Sequence, residues 1–296
     1  MITTSNRLRL DRIVSIGLAH PISRWLRRDN VGQVPILMYH GISESTTSRH
    51  PYFETNTSSL AFAQQMQYLH EEGYKTTDLK GAIAAIQQGD SHDRWVVITF
   101  DDGYQSFYVH ALPELLRYGF TATMFIVPTF ASSSALGETL REYMTWNEVR
   151  EIRKQGISIG SHTVSHPELN ALAPEQIRHE IIISKEIIEY EIGSQVQSFS
   201  YPYAFPEHDQ RAITLVREAL QSAGYENGVS TMIGTANSRD DRFFLPRLPV
   251  NCYDDRQLFQ TKLEGGYDWL HTPQRAYKGL RIQKRSLAKL IRPAAY

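Results

Sequence analysis

A continuous apolar run, Trp95–Phe100, ends abruptly in two adjacent carboxylates, Asp101 and Asp102, which are followed by Gly103. A run of this length and composition predicts a buried strand. Burying a carboxylate is costly unless it is paired or binds a metal, and two neighbouring carboxylates also repel each other. The end of this strand therefore predicts a chemical role, with an ordinary Asp-Asp-Gly surface turn as the alternative.

Two histidines follow a second short stretch of strand character, Ile157–Gly160. The spacing of His162 and His166 predicts one face of a helical turn, from which both imidazoles could reach one divalent ion. Two unrelated histidines are the simpler reading of this pattern taken by itself.

The positions of these two clusters favour a shared site. Both come just after predicted core strands, and in an α/β barrel the carboxyl ends of the strands converge on one face. Two imidazoles and one carboxylate leave coordination positions open on a metal, which is typical of a catalytic site and not of a structural one. The second carboxylate is then free to act as a base.

The composition sets broad limits on function. The 296 residues could form one large barrel or two small domains, and a hydrophobic content of 41% is enough for a sizeable core. With 31 basic and 32 acidic residues the formal net charge is -1, which gives no overall electrostatic reason to bind nucleic acid. The single cysteine, Cys252, implies no internal disulfide, and no apolar run reaches the roughly eighteen residues that cross a membrane.

The N-terminal residues resemble a secretion signal only superficially. Arginines precede the apolar run Ile13–Ala19, and His20, Pro21 and further arginines follow it. The run is short for a signal core and no convincing small-x-small cleavage site follows. We therefore interpret residues 1–33 as a retained, basic amphipathic extension and expect a cytoplasmic protein.

Strand and helix patterns alternate along the chain, which predicts an α/β architecture with mostly parallel strands. Strands are predicted at 35–39, 74–77, 95–100, 122–127, 157–159, 198–201 and 243–250. Helices are predicted at 59–73, 79–88, 109–118, 174–192 and 212–223, with another starting at the capping-box pattern of Thr145 and Glu148. Six to eight strand-helix units in this length fit a single barrel-like domain.

The C-terminal residues differ in charge from the rest of the chain. From Trp269 onward there is no acidic residue, but there are seven basic ones: Arg275, Lys278, Arg281, Lys284, Arg285, Lys289 and Arg292. Interleaved leucines and isoleucines could form one face of a helix. Such a basic helix either lies on an anionic membrane surface, which would place the protein at the inner membrane face, or is an ordinary solvated helix packed on the barrel.

These motifs resemble those of the polysaccharide deacetylases, carbohydrate esterase family four. The resemblance rests on two signature segments, Thr99–Gly103 and Ser161–His166, and on three weaker ones, Met38–His40, Ser200–Tyr203 and Arg247–Val250. It covers residues 34–251 in the expected order and leaves a C-terminal helical basic tail, 252–296. It implies a distorted (β/α)7-type barrel, one divalent metal and removal of acetyl groups from N-acetylated sugars.

The resemblance also implies roles for individual residues. Asp101 matches the catalytic base, and the metal ligands match Asp102, His162 and His166. Tyr203 occupies the position whose backbone N–H helps to hold the oxyanion. The metal is expected to be zinc, although two histidines and a carboxylate also accept cobalt, nickel or iron.

Two family positions differ in this chain. Tyr201 stands where many members have an arginine that orients the base, and this leaves Tyr201 as a candidate for oxyanion or substrate contact. The stretch Leu248–Asn251 lacks the histidine that many members use as the general acid. His40 is a candidate to replace that acid, with a structural role as the alternative, and Arg247 is a candidate to anchor the base or bind substrate.

The leading functional hypothesis is a metal-dependent N-deacetylase acting on N-acetylated sugars of a bacterial glycan or its precursor, as in exopolysaccharide biosynthesis. A lipid-linked precursor fits the expected cytoplasmic location. A non-catalytic glycan-binding protein on the same fold and a metal-dependent amidase acting on a non-sugar amide are the alternatives. The sequence leaves open the glycan, its linkage and the oligomeric state.

Overall fold

The computed structural model describes residues 9–26, 32–44, 54–89, 94–133, 142–203 and 209–278. Its strands are β1 (Gln33–Val34), β2 (Ile36–Tyr39), β3 (Lys75–Thr76), β4 (Trp95–Phe100), β5 (Thr123–Ile126), β6 (Ser158–Ser161), β7 (Ser198–Ser200), β8 (Asn227–Ile233), β9 (Ala236–Asn237) and β10 (Leu245–Pro249). Seven of them form a closed parallel barrel in the order β2-β10-β8-β7-β6-β5-β4, because β4 pairs again with β2. The predicted (β/α)7-type barrel is therefore confirmed.

Helices surround this barrel and connect its strands. They are α1 (Leu10–Val14), α2 (His20–Leu26), α3 (Ser59–Glu71), α4 (Leu79–Gln88), α5 (Leu112–Arg117), α6 (Pro128–Ser133), α7 (Trp146–Lys154), α8 (Pro174–Ile192), α9 (Gln210–Ser222) and α10 (Arg256–Leu263). Short 3-10 turns lie at Leu169–Ala171 and Asp268–Leu270, and π-helical turns at Ser15–Ala19 and Phe107–Ala111. Outside the ring, β3 pairs with the start of β4, and β1 pairs with β9 antiparallel.

The barrel strands bury both of their faces, which is why they read as continuous apolar runs. One face contributes to a compact cluster that contains Ile36, Val97, Phe125, Val229 and Leu245, together with apolar side chains of α4. Alternate residues face the helices and join the larger core. Since side chains alternate along a strand, Thr99 and Asp101 continue the face of Val97, and Arg247 continues that of Leu245. The inner face thus changes from apolar to polar toward the carboxyl ends of the strands.

The predicted helix ends are formed by the expected residues. At the start of α7, Thr145 accepts a hydrogen bond from the backbone N–H of Glu148, whose side chain accepts one from the backbone N–H of Thr145 at 2.7 Å. The predicted capping box is therefore confirmed. Helix α8 begins at Pro174 and ends before Gly193, whose left-handed conformation (φ 65°) suits glycine.

Strand β8 has no counterpart among the predicted strands. Its sequence, Asn227–Ile233, begins with small and polar residues, which weakens the apolar pattern by which a strand is recognised. Gly228 is needed there because a Cβ at this position would lie 2.7 Å from the carbonyl oxygen of Phe243. The backbone just before β10 therefore passes so close to β8 that a glycine is required at position 228. This glycine is one reason why the sequence of β8 does not show the usual apolar pattern of a strand.

The predicted helix at 109–118 is interrupted. A π-helical turn, Phe107–Ala111, precedes α5, and Pro113 follows two residues later. The N-terminal helices show the same arrangement, with the π-helical turn Ser15–Ala19 followed by Pro21. Proline has no N–H to donate to the carbonyl four residues earlier, and a widened turn accommodates its ring.

The two extensions are partly within the described residues. The N-terminal helices pack along α10, and residues 271–278 are helical and pack on β8, where the Gln274 side chain accepts a hydrogen bond from the Ile233 N–H at 2.8 Å. The remainder of the predicted basic tail, 279–296, lies outside the described residues. Among the helices that are described, none is both long and apolar enough to cross a membrane.

Candidate active site

The ends of four barrel strands bring the candidate residues together. Asp101 and Asp102 follow β4, His162 follows β6, and His40 follows β2, while Arg247 lies within β10. Because the strands are parallel, their carboxyl ends meet on one face of the barrel. The structure therefore assembles there the clusters that the sequence separates by some sixty residues or more.

Asp102, His162 and His166 form a possible metal site. One ligand atom from each lies within 4.8 Å of the other two. Oδ1 of Asp102 is 3.5 Å from Nε2 of His162 and 3.3 Å from Nε2 of His166. Zinc bound tetrahedrally at about 2.0–2.2 Å holds its ligand atoms roughly 3.3–3.6 Å apart. Oδ1 of Asp102 is also buried and has no hydrogen-bond donor, so the residues present fit a small divalent ion.

The orientation of the His162 ring is fixed by a hydrogen bond on the side away from Asp102. Its Nδ1 lies 2.8 Å from the backbone carbonyl of Ser200, and because a carbonyl only accepts, Nδ1 carries the proton. The proton-free Nε2 then faces Asp102. Burial lowers the pKa of His162 to about 3, so the ring is neutral. A neutral imidazole held through its second nitrogen is the usual form of a metal-binding histidine.

The segment between the two histidines is not the helical turn that the spacing predicts. It is an irregular loop in which Thr163 and His166 have positive φ values of 66° and 57°. The rings of His162 and His166 are nevertheless only 4.9 Å apart, centroid to centroid. The prediction of a helical turn was wrong, but the predicted convergence of the two imidazoles is confirmed.

Glu180, on α8, holds this loop in place. Its carboxylate accepts hydrogen bonds from the backbone N–H groups of Val164 and Ser165 at 2.8 and 3.0 Å, and from the Ser165 hydroxyl at 2.8 Å. The hydroxyl oxygen of Thr163 accepts a further hydrogen bond from the backbone N–H of His166 at 3.1 Å. Backbone with positive φ at non-glycine residues is unfavourable unless its surroundings hold it, and these contacts provide that support.

Asp102 has an unusual backbone and an unusual environment. Its φ of 73° turns the side chain away from the alternation that Asp101 continues. Burial, and next the neighbouring Asp101 carboxylate, raise the pKa of Asp102 to about 7, although a hydrogen bond with Tyr104 opposes this. The raised pKa shows that the ionised form of Asp102 is unfavourable in this environment. A bound metal ion would stabilise that ionised form and lower the pKa.

Asp101 is paired with Arg247 inside the barrel. The guanidinium donates to both carboxylate oxygens, with NH1–Oδ1 at 2.8 Å and NH2–Oδ2 at 2.7 Å. Arg247 also donates to Thr99, Ser200 and the Ser230 carbonyl. Burial alone would raise the pKa of Asp101, but the charge of Arg247 holds it well below its usual value. Asp101 is therefore ionised and fixed in orientation.

His40 lies on the other side of Asp101. Its Nε2 is 4.0 Å from Oδ2 of Asp101, and its side chain keeps 20% of its surface exposed. Burial lowers the pKa of His40, and the Asp101 carboxylate opposes this effect. The structure thus brings a partly accessible imidazole next to the predicted base.

The two tyrosines differ in accessibility. Tyr203 is 53% exposed, has a φ of 54°, and its ring is 4.6 Å from that of His166. The Tyr201 side chain is fully buried and packs against the rings of Phe199 and Phe244. A fully buried side chain offers no surface to a substrate, so we retain no side-chain contact with substrate for Tyr201.

Four further residues at the site received no role from the sequence. They are Thr99, Tyr104, Glu180 and Ser200. Thr99 lies in the segment Thr99–Gly103 and Ser200 in the segment Ser200–Tyr203. The alternation of side chains along a strand could have indicated that both residues face Asp101. Glu180 is a surface-type residue in the middle of a helix, and no local pattern indicates its contact with the loop.

The comparisons with known proteins agree with one another. A sequence model described as polysaccharide deacetylase matches residues 88–228. The chain is 32% identical over 230 residues to "Putative polysaccharide deacetylase YxkH" of Bacillus subtilis, covering 77% of this chain and 75% of that protein. It is 26% identical to the poly-beta-1,6-N-acetyl-D-glucosamine N-deacetylase of Escherichia coli K12, covering 68% of this chain and 34% of that larger protein.

Solved structures share the fold. Streptococcus pyogenes deacetylase PplD in complex with acetate superposes with a TM-score of 0.69 at 22% identity, covering 79% of this chain and 99% of that one. IcaB from Ammonifex degensii gives a TM-score of 0.62 at 21% identity, with 80% and 97% covered. At these identities the likeness concerns the barrel itself.

Proposed function

The chain belongs to the polysaccharide deacetylase family, and we propose that it is a metal-dependent N-deacetylase that removes acetyl groups from N-acetylated sugars. The observation that carries this proposal is that two adjacent carboxylates have different partners. Asp102 faces two histidine nitrogens, whereas Asp101 is held by Arg247. One carboxylate is thus available to a metal and the other to a proton.

In the proposed reaction a water molecule attacks the acetamide carbonyl, the C–N bond breaks, and acetate and a free amine result. When bound by Asp102, His162 and His166, a divalent ion supplies polarisation of the carbonyl and activation of water. Asp101 accepts a proton from the attacking water. The two hydrogen bonds from Arg247 keep the Asp101 carboxylate ionised and fix its orientation. The backbone N–H of Tyr203 is proposed to donate to the carbonyl oxygen as negative charge develops there.

The departing amine needs a proton, and we assign its delivery to His40. The imidazole is partly exposed and lies 4.0 Å from the Asp101 carboxylate. Burial lowers the pKa of His40 and the Asp101 carboxylate opposes this effect, so the ring has to gain a proton during the reaction before it can act as the general acid. Asp101 and His40 together supply the base and the acid that hydrolysis of an amide requires, on two neighbouring side chains.

The substrate is proposed to be a glycan, or a glycan precursor, that contains N-acetylglucosamine. The relatives named for poly-beta-1,6-N-acetyl-D-glucosamine, chitooligosaccharide and peptidoglycan N-acetylglucosamine deacetylation have this sugar in common. A row of aromatic rings borders the triad of Asp102, His162 and His166, and these rings could stack on the faces of sugar rings. The ring centroids of Tyr104 and Tyr143 are 5.1 Å apart, those of Tyr143 and Phe130 4.4 Å, and Phe130 reaches His166 at 6.0 Å.

Metal content per chain is the first test. Elemental analysis of the wild type should give about one ion, with zinc as the proposed metal and cobalt, nickel or iron as the alternatives. His162→Ala and Asp102→Ala should abolish it, while His179→Ala, an exposed histidine on α8, should not. A wild type that stays metal-free after reconstitution would contradict the hydrolytic mechanism and favour a glycan-binding protein.

Substrate class is tested separately by acetate release. N-acetylglucosamine oligomers are compared with simple non-sugar amides at equal concentration, using the metal-loaded wild type. Release from the oligomers alone supports the deacetylase, whereas release from simple amides alone would make the protein an amidase. Asp101→Asn, which keeps the metal ligands, should lose activity in either case.

Two wider features belong to the same proposal. Residues 34–251 are proposed to act as the catalytic unit, with residues 1–33 and 252–296 as extensions. The basic tail is proposed to approach anionic lipid, which suits a lipid-linked sugar substrate at a membrane face. A partial decrease in liposome binding after replacing Lys284, Arg285 and Lys289 by serine in the full-length chain would support that role.

A further inference from the structure

The N-terminal helices present an apolar face to solvent. Residues 10–26 form one continuous helical segment made of α1, the π-helical turn Ser15–Ala19 and α2, which we call the N-terminal helix. Its outward face carries five large apolar side chains that are 46–76% exposed: Leu10, Ile13, Leu18, Ile22 and Trp25. Gly17 and Pro21 lie exposed among them. The exposed side of this helix is therefore almost wholly apolar.

The side that faces the protein is largely polar, although Ile16 packs against the core. Asp11 is 1% exposed and accepts a hydrogen bond from the Tyr267 hydroxyl at 2.7 Å. Ser15 is fully buried and accepts one from the indole N–H of Trp269 at 2.9 Å. His20 contacts Glu264 at 2.6 Å. An ordinary surface helix has the opposite arrangement, with its apolar side inward, so this helix is attached by polar contacts and displays its apolar side.

Exposed apolar residues elsewhere in the described chain do not form such a stripe. Leu60 lies on α3, Tyr190 on α8, and Val109 and Leu116 in the π-helical turn and helix of 107–117. Scattered exposed apolar side chains are normal, whereas a contiguous apolar surface marks a place of interaction. The N-terminal helix is therefore a candidate docking surface.

The charge around this surface indicates the chemistry of its occupant. Residues 7–28 contain six arginines and a single acidic residue, Asp11, which is buried. Arg9 and Arg12 pair with Asp11 and Asp255, which leaves four arginines of this segment to give the surface its positive charge. A second copy of the chain would bring the same positive charge against it, and the basic C-terminal residues would do likewise. A surface that is apolar and also negatively charged matches both properties, and an anionic lipid bilayer is such a surface.

We propose that the N-terminal helix lies in the headgroup region of an anionic membrane, with its apolar face inserted among the acyl chains. Trp25, the most exposed of the five side chains, has the amphipathic ring that favours the membrane–water boundary. Arg24, Arg27 and Arg28 flank it in the sequence and carry the positive charge that an anionic headgroup would attract. This attachment is independent of the proposed catalytic reaction.

The test is co-sedimentation of the full-length protein with vesicles of phosphatidylcholine alone or mixed with phosphatidylglycerol. The wild type should bind the mixed vesicles and bind less at high salt. The variant Ile13→Ser/Leu18→Ser/Ile22→Ser should lower the partition coefficient by at least about tenfold, because three inserted apolar side chains are lost. The matched control, Leu60→Ser/Val109→Ser/Leu116→Ser, replaces equally exposed residues elsewhere and should bind like the wild type.

Thermal melting by circular dichroism establishes that both triple variants are folded. If the Ile13, Leu18 and Ile22 variant binds as well as the wild type, or the wild type binds neither vesicle, the proposal is overturned. It is also overturned if sedimentation velocity shows the wild type as a dimer and this variant as a monomer, since the face would then join two copies. A further variant, Lys284→Ser/Arg285→Ser/Lys289→Ser, should retain the contribution of the N-terminal helix; complete loss of binding there would assign attachment to the tail instead.

Discussion

Arg247 grips Asp101 through two parallel hydrogen bonds of 2.8 and 2.7 Å, inside the barrel and away from solvent. The two residues are 146 positions apart in sequence and meet because β4 and β10 both flank β2. The planar guanidinium fixes both the charge and the direction of the carboxylate. In this chain an arginine from the last barrel strand therefore reaches the residue that precedes Asp102, the carboxylate that faces His162 and His166.

Replacing Arg247 should separate its orienting role from its charge. Arg247→Lys keeps a cation but cannot bond both oxygens, so we expect kcat for acetate release to fall by about 10- to 100-fold with bound metal unchanged. Arg247→Met leaves a buried carboxylate unpaired and should lower the free energy of unfolding by about 3–5 kcal/mol, measured by urea denaturation. Arg242→Lys, at an exposed position, is the control. Unchanged kcat in Arg247→Lys would contradict the orienting role.

Local sequence patterns predicted much of this site, and the parts they missed depend on long-range packing. The apolar run before Asp101 identified a buried strand, and the predicted helix at 174–192 has the bounds of α8. The convergence of the histidines was also predictable, although their loop conformation was not. By contrast, the pairing of Arg247 with Asp101, which the family resemblance offered as one candidate role, depends on closure of the barrel, which no local periodicity encodes.

Glu180 should control metal affinity without touching the metal. Glu180→Ala removes the acceptor for two backbone N–H groups and one hydroxyl in the loop that carries His166. We expect zinc affinity to fall by about 10- to 100-fold, measured by competition with a chromophoric chelator. Glu186→Ala, an exposed position on the same helix, should leave affinity unchanged. Equal affinities in both variants would show that the loop is held by other contacts.

Metal binding should release a proton in mildly acidic solution. Burial, followed by the effect of Asp101, raises the pKa of Asp102 to about 7, whereas His162 is already neutral because burial lowers its pKa to about 3. A metal binds the ionised carboxylate, so affinity should weaken as the pH falls from about 8 to about 6, with close to one proton released per ion near pH 6 and few near pH 8.5. Calorimetry in buffers of different ionisation enthalpy measures this release.

The same shift makes the metal-free and metal-loaded proteins differ in their stability against pH. The folded state holds the Asp102 proton more tightly than the unfolded state, whose carboxyl has the ordinary value of 3.8. Asp102 therefore contributes a loss of stability as the pH rises between these two pKa values, whereas the lowered pKa of His162 contributes the opposite trend, and added metal should remove the Asp102 contribution. The difference between metal-free and metal-loaded melting temperatures should grow with pH over this range. A constant difference would contradict the assignment to Asp102.

Tyr143 should contribute to sugar binding. Its ring stacks against those of Tyr104 and Phe130, beside the triad. In Tyr143→Ala the rings of Tyr104 and Phe130 lose the ring stacked between them. We therefore expect KM for N-acetylglucosamine oligomers to rise by up to about tenfold, with kcat little changed. Tyr190→Ala, at an 86% exposed position on α8, is the control. An unchanged KM would remove this row of rings from the proposed binding surface.

His40 should matter only when the leaving group needs a proton. His40→Gln removes the proposed acid beside Asp101 but none of the metal ligands, so kcat for an N-acetylated sugar should fall by about 10²- to 10⁴-fold while metal content stays the same. With 4-nitrophenyl acetate, whose leaving group departs without protonation, the variant should approach the wild-type rate, because attack on the carbonyl is intact. His110→Gln, at an exposed position, controls for loss of an imidazole. If His40→Gln slows both substrates equally, the ring acts in positioning Asp101 and not as the acid.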